Sequence, residues 1–193
     1  LKTLFNHQNT FSSMAVCTIL LPAASADDCA INAHFGRVDK ILWTRLGDDL
    51  DDDSDLSEWT TRKSNSTSLP SSPTLAPIRF LNVIGELPLP ETTTAEASLG
   101  RKVISTPSHT LTVDCDDLST TNATLLNTLQ GTSYTYAFWF VCDGQLYGGT
   151  TGIEATMSFV GRVIPREKTA LQTMRITINW EGKIPVPIAD PGV

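Results

Sequence analysis

Tyr134-Thr135-Tyr136-Ala137-Phe138-Trp139-Phe140-Val141-Cys142 runs straight into Asp143-Gly144 and then Gln145-Leu146-Tyr147. Nine residues rich in rings and β-branched side chains, closed by Asp-Gly, read as a strand entering a two-residue hairpin. Side chains alternate across a strand, so Tyr134, Tyr136, Phe138 and Phe140 share one face and Trp139 points to the other. A face carrying four large rings reads as core rather than as a ligand platform. Trp139, on the opposite face, serves a ligand, a helix or a neighbouring subunit.

The flanking sequence continues the pattern. Gly152–Ile164 and Leu171–Trp180 are two long strand-like stretches linked around Pro165-Arg166. Upstream, Ser108–Cys115 alternates Leu111, Val113 and Cys115 with polar residues, Thr92–Ile104 is threonine-rich with period two, and Ile78–Leu87 is rich in branched residues. Lys40–Arg45 fits a short strand or a bent loop. One helix is expected between Ser119 or Thr120, which can cap it, and Gly131, with Leu125, Leu126 and Leu129 on its apolar side. The expected class is α+β, mainly β: a β-sandwich or barrel-like sheet with one packed helix and long extended arms.

At 193 residues the chain is sized for one domain. Residues 1–13 read as a flexible arm, 14–184 as a single β-rich domain, and 185–193, with Pro185, Pro187 and Pro191, as a second extended arm. Within the domain, Gly47–Pro77 opens with Asp48, Asp49, Asp51, Asp52, Asp53, Asp55 and Glu58, and ends among prolines. Its composition offers little apolar surface to offset ordering entropy, so a long exposed loop that orders against a neighbour is expected. Met14–Ala24 is apolar and Ala24-Ser25-Ala26 resembles a leader cleavage site, but Pro22 interrupts the run and only one lysine precedes it. A strand over Ala15–Leu21 is the preferred reading.

Composition narrows the function classes. A net charge of −7 disfavours general nucleic-acid binding, which needs clustered cations. There is no apolar run of about 18–20 residues to form a membrane helix. Cys17, Cys29, Cys115 and Cys142 form no C-x-x-C pair, and His7, His34 and His109 do not complete a zinc spacing. An EF-hand register from Asp51 fails at Leu56 and Arg62, where glycine and glutamate are required. No nucleophile elbow, His-x-x-x-His pair or phosphate loop occurs. Glu154 and Glu181 can be imagined as an acid and base pair, though nothing in the sequence brings them together. Asn65-Ser66-Thr67 and Asn122-Ala123-Thr124 match the glycosylation pattern, which is short enough to arise by chance. No catalytic residue, cofactor or metal ligand is assigned.

The succession Leu111–Asp114, a short helix, the aromatic strand, Asp143-Gly144-Gln145-Leu146-Tyr147-Gly148-Gly149, Gly152-Ile153-Glu154-Ala155 and Ile176-Thr177-Ile178-Asn179-Trp180-Glu181-Gly182 resembles phage tail-tube and related virion structural proteins, including hypothetical phage and prophage proteins of Bacteroidetes hosts. The resemblance covers roughly residues 78–184; the acidic loop departs from it. It implies a non-enzymatic subunit of a ring, commonly hexameric, stacked into a tube, with itself and other virion proteins as partners. The expected assembly contacts are Asp51, Asp52, Asp53, Trp59 and Trp139 together with Arg162, Arg166, Lys168 and Lys183. The competing expectation is a secreted β-sandwich binding module for carbohydrate or a surface partner.

Overall fold

The structure, a computed structural model, describes residues 36–66, 75–92, 94–97, 101–104, 106–129, 134–167 and 169–193. For 94–97, 101–104, Leu126, Leu129 and Tyr134 it describes the backbone alone. The expected N-terminal arm and leader or strand of residues 1–26 lie outside the described residues, as do Lys168 and the facing of Leu126 and Leu129.

The chain forms β1 (Val38–Arg45), α1 (Leu56–Ser64), β2 (Arg79–Glu86), β3 (Thr94–Ala97), β4 (Arg101–Ile104), β5 (Ser108–Cys115), α2 (Thr120–Leu129), β6 (Tyr134–Cys142), β7 (Gln145–Tyr147), β8 (Ile153–Val163), β9 (Thr173–Glu181) and β10 (Ile188–Ala189). Six strands hydrogen-bond in the order β1-β2-β5-β9-β8-β6, and β6 pairs again with β1, so the sheet closes into an antiparallel barrel. β7 extends the free edge of β6 beyond β8, and β10 pairs with β7. β3 and β4 form a separate two-stranded ribbon between β2 and β5. The mainly-β, barrel-like expectation holds, with two helices among the described residues rather than one.

Alternation supplies the barrel interior: Leu81 and Val83 from β2, Leu111, Val113 and Cys115 from β5, Phe138 and Phe140 from β6, and Met174, Ile176, Ile178 and Trp180 from β9 are all buried together. β1 contributes Val38, Ile41 and Trp43. Val38 and Ile41 are three residues apart, which a regular strand would set on opposite faces. The register slips between Val38 and Lys40, and this bulge returns Val38 to the inside. A six-stranded barrel is narrow enough for these side chains to fill. Leu118 and the half-buried Leu125 of α2 pack on the core beyond the end of β5.

A second core lies outside the wall. Leu42, Ala137, Trp139 and Val141 face outward from β1 and β6 and are covered by Leu50, Trp59, Ile78, Leu146 and Val193. Two expectations are corrected here. Gly47–Pro77 is not simply an exposed loop: it contains α1, whose Trp59 and Arg62 are fully buried against the chain's own barrel. The proline-rich 185–193 segment also packs on the barrel through β10 and Val193. Average composition misled because burial falls on a few residues, chiefly Leu50, Trp59, Arg62 and Ala76, rather than being spread along the segment.

Trp59→Ala should therefore destabilise the isolated subunit by about 3–5 kcal/mol, the usual cost of truncating a buried tryptophan. Urea unfolding measures it; a change within experimental error would show that the acidic segment does not pack on its own domain.

Candidate functional site

The outer core is organised by Trp139. Its ring meets Trp59 edge-to-face at 5.4 Å, and its Nε1–H donates to the Gly149 carbonyl at 2.6 Å. Gly148 and Gly152 make this seat possible. Both have positive φ (142° and 72°), and a Cβ on Gly148 would lie 2.2 Å from the Trp139 ring. Glycines that read as turn geometry thus also accommodate an indole. Trp59 and Trp139 were expected as assembly contacts; each is fully enclosed within the subunit instead.

The acidic run is ordered by its own carboxylates. Asp55 caps α1, accepting from the Ser57 amide at 2.8 Å and the Ser57 hydroxyl at 2.9 Å. Asp52 accepts from Ser54 in the same way. Glu58 accepts from the amides of Asp51 and Asp52 and pairs with Arg62 at 3.1 Å. The Arg62 guanidinium also donates to the carbonyls of Asp48, Asp49 and Ala76, so this buried cation is spent on backbone oxygens that α1 would otherwise leave bare. Asp51 and Asp52 remain exposed and Asp53 half-exposed. Arg162, Arg166 and Lys183 are exposed and make no ion pair among the described residues; the structure brings none of them to the acidic run within one chain. No three carboxylate, imidazole or thiol groups converge among the described residues.

Two concavities stand out among the described residues. The first, about 510 Å³, is a polar depression lined by Ser108, Thr135, Glu154, Thr156, Asn179, Trp180 and Glu181. It does bring Glu154 and Glu181 to one place. The β8–β9 ladder begins at Thr156↔Asn179, and the two glutamates lie just past that pair, one on each strand. Both are exposed, and among the described residues neither is hydrogen-bonded to a group that would set it as acid or base.

The second, about 740 Å³, opens at one end of the barrel and is lined by Val38, Gly85, Leu87, Phe140, Tyr147 and Ile184, with Gly36, Arg37, Glu86 and Cys142 beside them. Register places it: Val38 pairs with Gly85 on one side and Cys142 on the other. Gly85 faces inward, and a Cβ there would lie 2.6 Å from Val113, so only glycine fits the wall at this point. Burial, and then the charges of Asp39 and Asp143, push the Cys142 thiol above its ordinary value, and burial raises Tyr147. Arg37 at the rim is paired with Asp39 at 2.7 Å. Sequence reasoning missed this mouth because its residues come from five separate stretches of chain.

No family model, no curated protein and no solved structure matches this chain.

The Asp55 cap has a pH signature. Its carboxyl is held below the ordinary aspartate value first by the Ser57 hydroxyl and then by the Ser57 amide. A carboxyl depressed on folding stabilises above its unfolded pKa, and that contribution is lost as pH falls through the folded value. Asp55→Ala should lower the melting temperature at neutral pH, and the difference from wild type should shrink below about pH 4. A difference that is independent of pH would mean the cap does not act through its charge.

Proposed function

We propose that the chain is a non-enzymatic structural subunit that acts by self-association, of the ring- or tube-forming virion class that its C-terminal half resembles. One observation carries the reading. The end of the β8–β9 hairpin exposes Val160, Ile164 and Leu171 at 59%, 68% and 72%, interleaved with Arg162 and Arg166, which make no ion pair among the described residues. Apolar side chains grouped on a projecting hairpin favour contact with another chain.

The same molecule presents a surface of opposite sign. Asp49, Asp51, Asp52 and Asp55 stand exposed around the start of α1. A basic, apolar hairpin meeting an acidic turn on the next copy is a head-to-tail contact, and head-to-tail contacts generate rings or filaments. The β3–β4 ribbon supports the same reading. It pairs with no other strand among the described residues, and a lone two-stranded ribbon gains stability by joining another sheet. Lys183 and Lys168 stay as secondary contacts of this proposal, and other virion proteins as further partners.

Electron microscopy and sedimentation of the purified protein test it. Rings or filaments are expected, weakened by high salt because exposed pairs are screened over about 8–10 Å. Ile164→Asp combined with Leu171→Asp should give folded monomers. Wild-type protein that stays monomeric by light scattering across a wide concentration range would overturn the proposal.

A further inference from the structure

We propose that the barrel mouth binds a small amphiphilic amine, with its apolar body inside the cavity and its ammonium head against Glu86 at the rim. This site goes beyond self-association and lies at the opposite end of the barrel from the β8–β9 hairpin. The apolar part of the reading rests on the lining alone. Val38 and Phe140 are almost fully buried, and Leu87, Tyr147 and Ile184 are partly buried against the same core. Tyr147 stacks on Phe140 at 4.7 Å and 6°, so two of these five side chains form one aromatic surface. Gly36 and Gly85 line the cavity without adding side chains to fill it. Barrel mouths are favoured places for small-molecule sites, and a volume of about 740 Å³ suits one.

The walls are built before any ligand arrives. Ile184 follows Gly182, whose amide donates to the Pro107 carbonyl at 2.9 Å. Beyond Ile184, β10 pairs with β7, the strand that carries Tyr147. On the other side Gly85 is held in register with Val38. A preformed cavity loses little conformational entropy on binding, so burial of the apolar body is converted into affinity with little loss.

Charge at the rim selects the head group. Arg37 lines the mouth, but its guanidinium is already paired with Asp39 at 2.7 Å. Glu86 also lines it, is exposed, and makes no ion pair among the described residues. The Cys142 thiol, another lining group, reports the sign of the field. After burial itself, the charges of Asp39 and Asp143 hold it above its ordinary value. A carboxylate ligand would meet that field and lose hydration with no free cation to replace it. An ammonium meets Glu86 instead. Because that pair is exposed, it adds only a few-fold to affinity, and the apolar contacts supply the rest.

The test is titration of the ¹⁵N-labelled full chain with 2-phenylethylamine, 2-phenylethanol, 3-phenylpropionate and ethanolamine, following the backbone amides of Gly85, Leu87, Tyr147 and Ile184. The phenyl amine and the phenyl alcohol should shift these amides saturably, the amine about threefold more tightly at low salt, on the scale of an exposed ion pair. The carboxylate should bind at least roughly tenfold more weakly than the amine, and ethanolamine, which has no apolar body, should not bind. Glu86→Gln, an exposed change, should remove the preference for amine over alcohol while leaving the alcohol's affinity unchanged; about 0.5 M salt should do the same by screening. Leu87→Trp, which fills the mouth, should abolish the response, and Ile184→Trp serves the same purpose if that variant does not fold. No saturable shift up to the solubility limit, a carboxylate that binds as tightly as the amine, or an amine preference that survives Glu86→Gln would each overturn the proposal.

Discussion

The antiparallel seam between β1 and β6 is the constraint on which the rest of the structure depends. β1 pairs with β2 along one edge and with β6 along the other, from Val38↔Cys142 to Arg45↔Tyr136. Without it the remaining strands would form an open sheet with two unpaired edges, each a template for uncontrolled pairing. With it, the inward residues of six strands share one enclosed core. The contact joins segments about a hundred residues apart, so closure must overcome a large loop entropy before it gains anything. The bulge near Val38 lets one short strand satisfy both neighbours while keeping its apolar residues inside.

Closing the barrel creates a second problem, which the outer core answers. Ile41 and Phe140 point inward as cross-strand partners, but the next pair, Leu42 and Trp139, is equally apolar and points outward. The seam therefore needs a cover. α1, the Leu50 turn, β7 and the C-terminal segment provide it, and Arg62 ties that cover together by filling backbone carbonyls from both ends of the excursion. The acidic residues that remain exposed are therefore held on an ordered surface. A fixed patch of charge is better suited to recognition than a fluctuating one, because less entropy is lost when a partner binds.

The same architecture separates two kinds of surface. One end of the barrel is approached by α2 with Leu118 and Leu125, while the other retains a mouth lined by Phe140 and Tyr147 among others. The β8–β9 hairpin contributes exposed apolar side chains at the end of the barrel opposite that mouth. Glu154 and Glu181 illustrate why proximity is not enough for chemistry: they line one depression, yet both are open to water and neither is oriented by a neighbouring donor.

Local pattern by itself determined the strands that alternate cleanly. Leu111, Val113 and Cys115 in β5 and the run Ile176, Ile178, Trp180 in β9 are buried on one face only, so period two was legible, and Asp143-Gly144 declared its hairpin through the positive φ that both residues adopt. β1 was ambiguous because Ile41, Leu42 and Trp43 are buried in succession, on both faces, beside a bulge; no alternation survives that arrangement. α1 was missed because a helix held by one tryptophan and one arginine carries almost no apolar periodicity. The placement of Trp139 against Trp59 rather than on a partner, the sharing of one depression by Glu154 and Glu181, and the stacking of His109 on Trp180 across β5 and β9 were decided only by tertiary structure. Each depends on which strands become neighbours, and strand neighbours are chosen by closure of the whole sheet, a long-range condition that no short stretch of sequence contains.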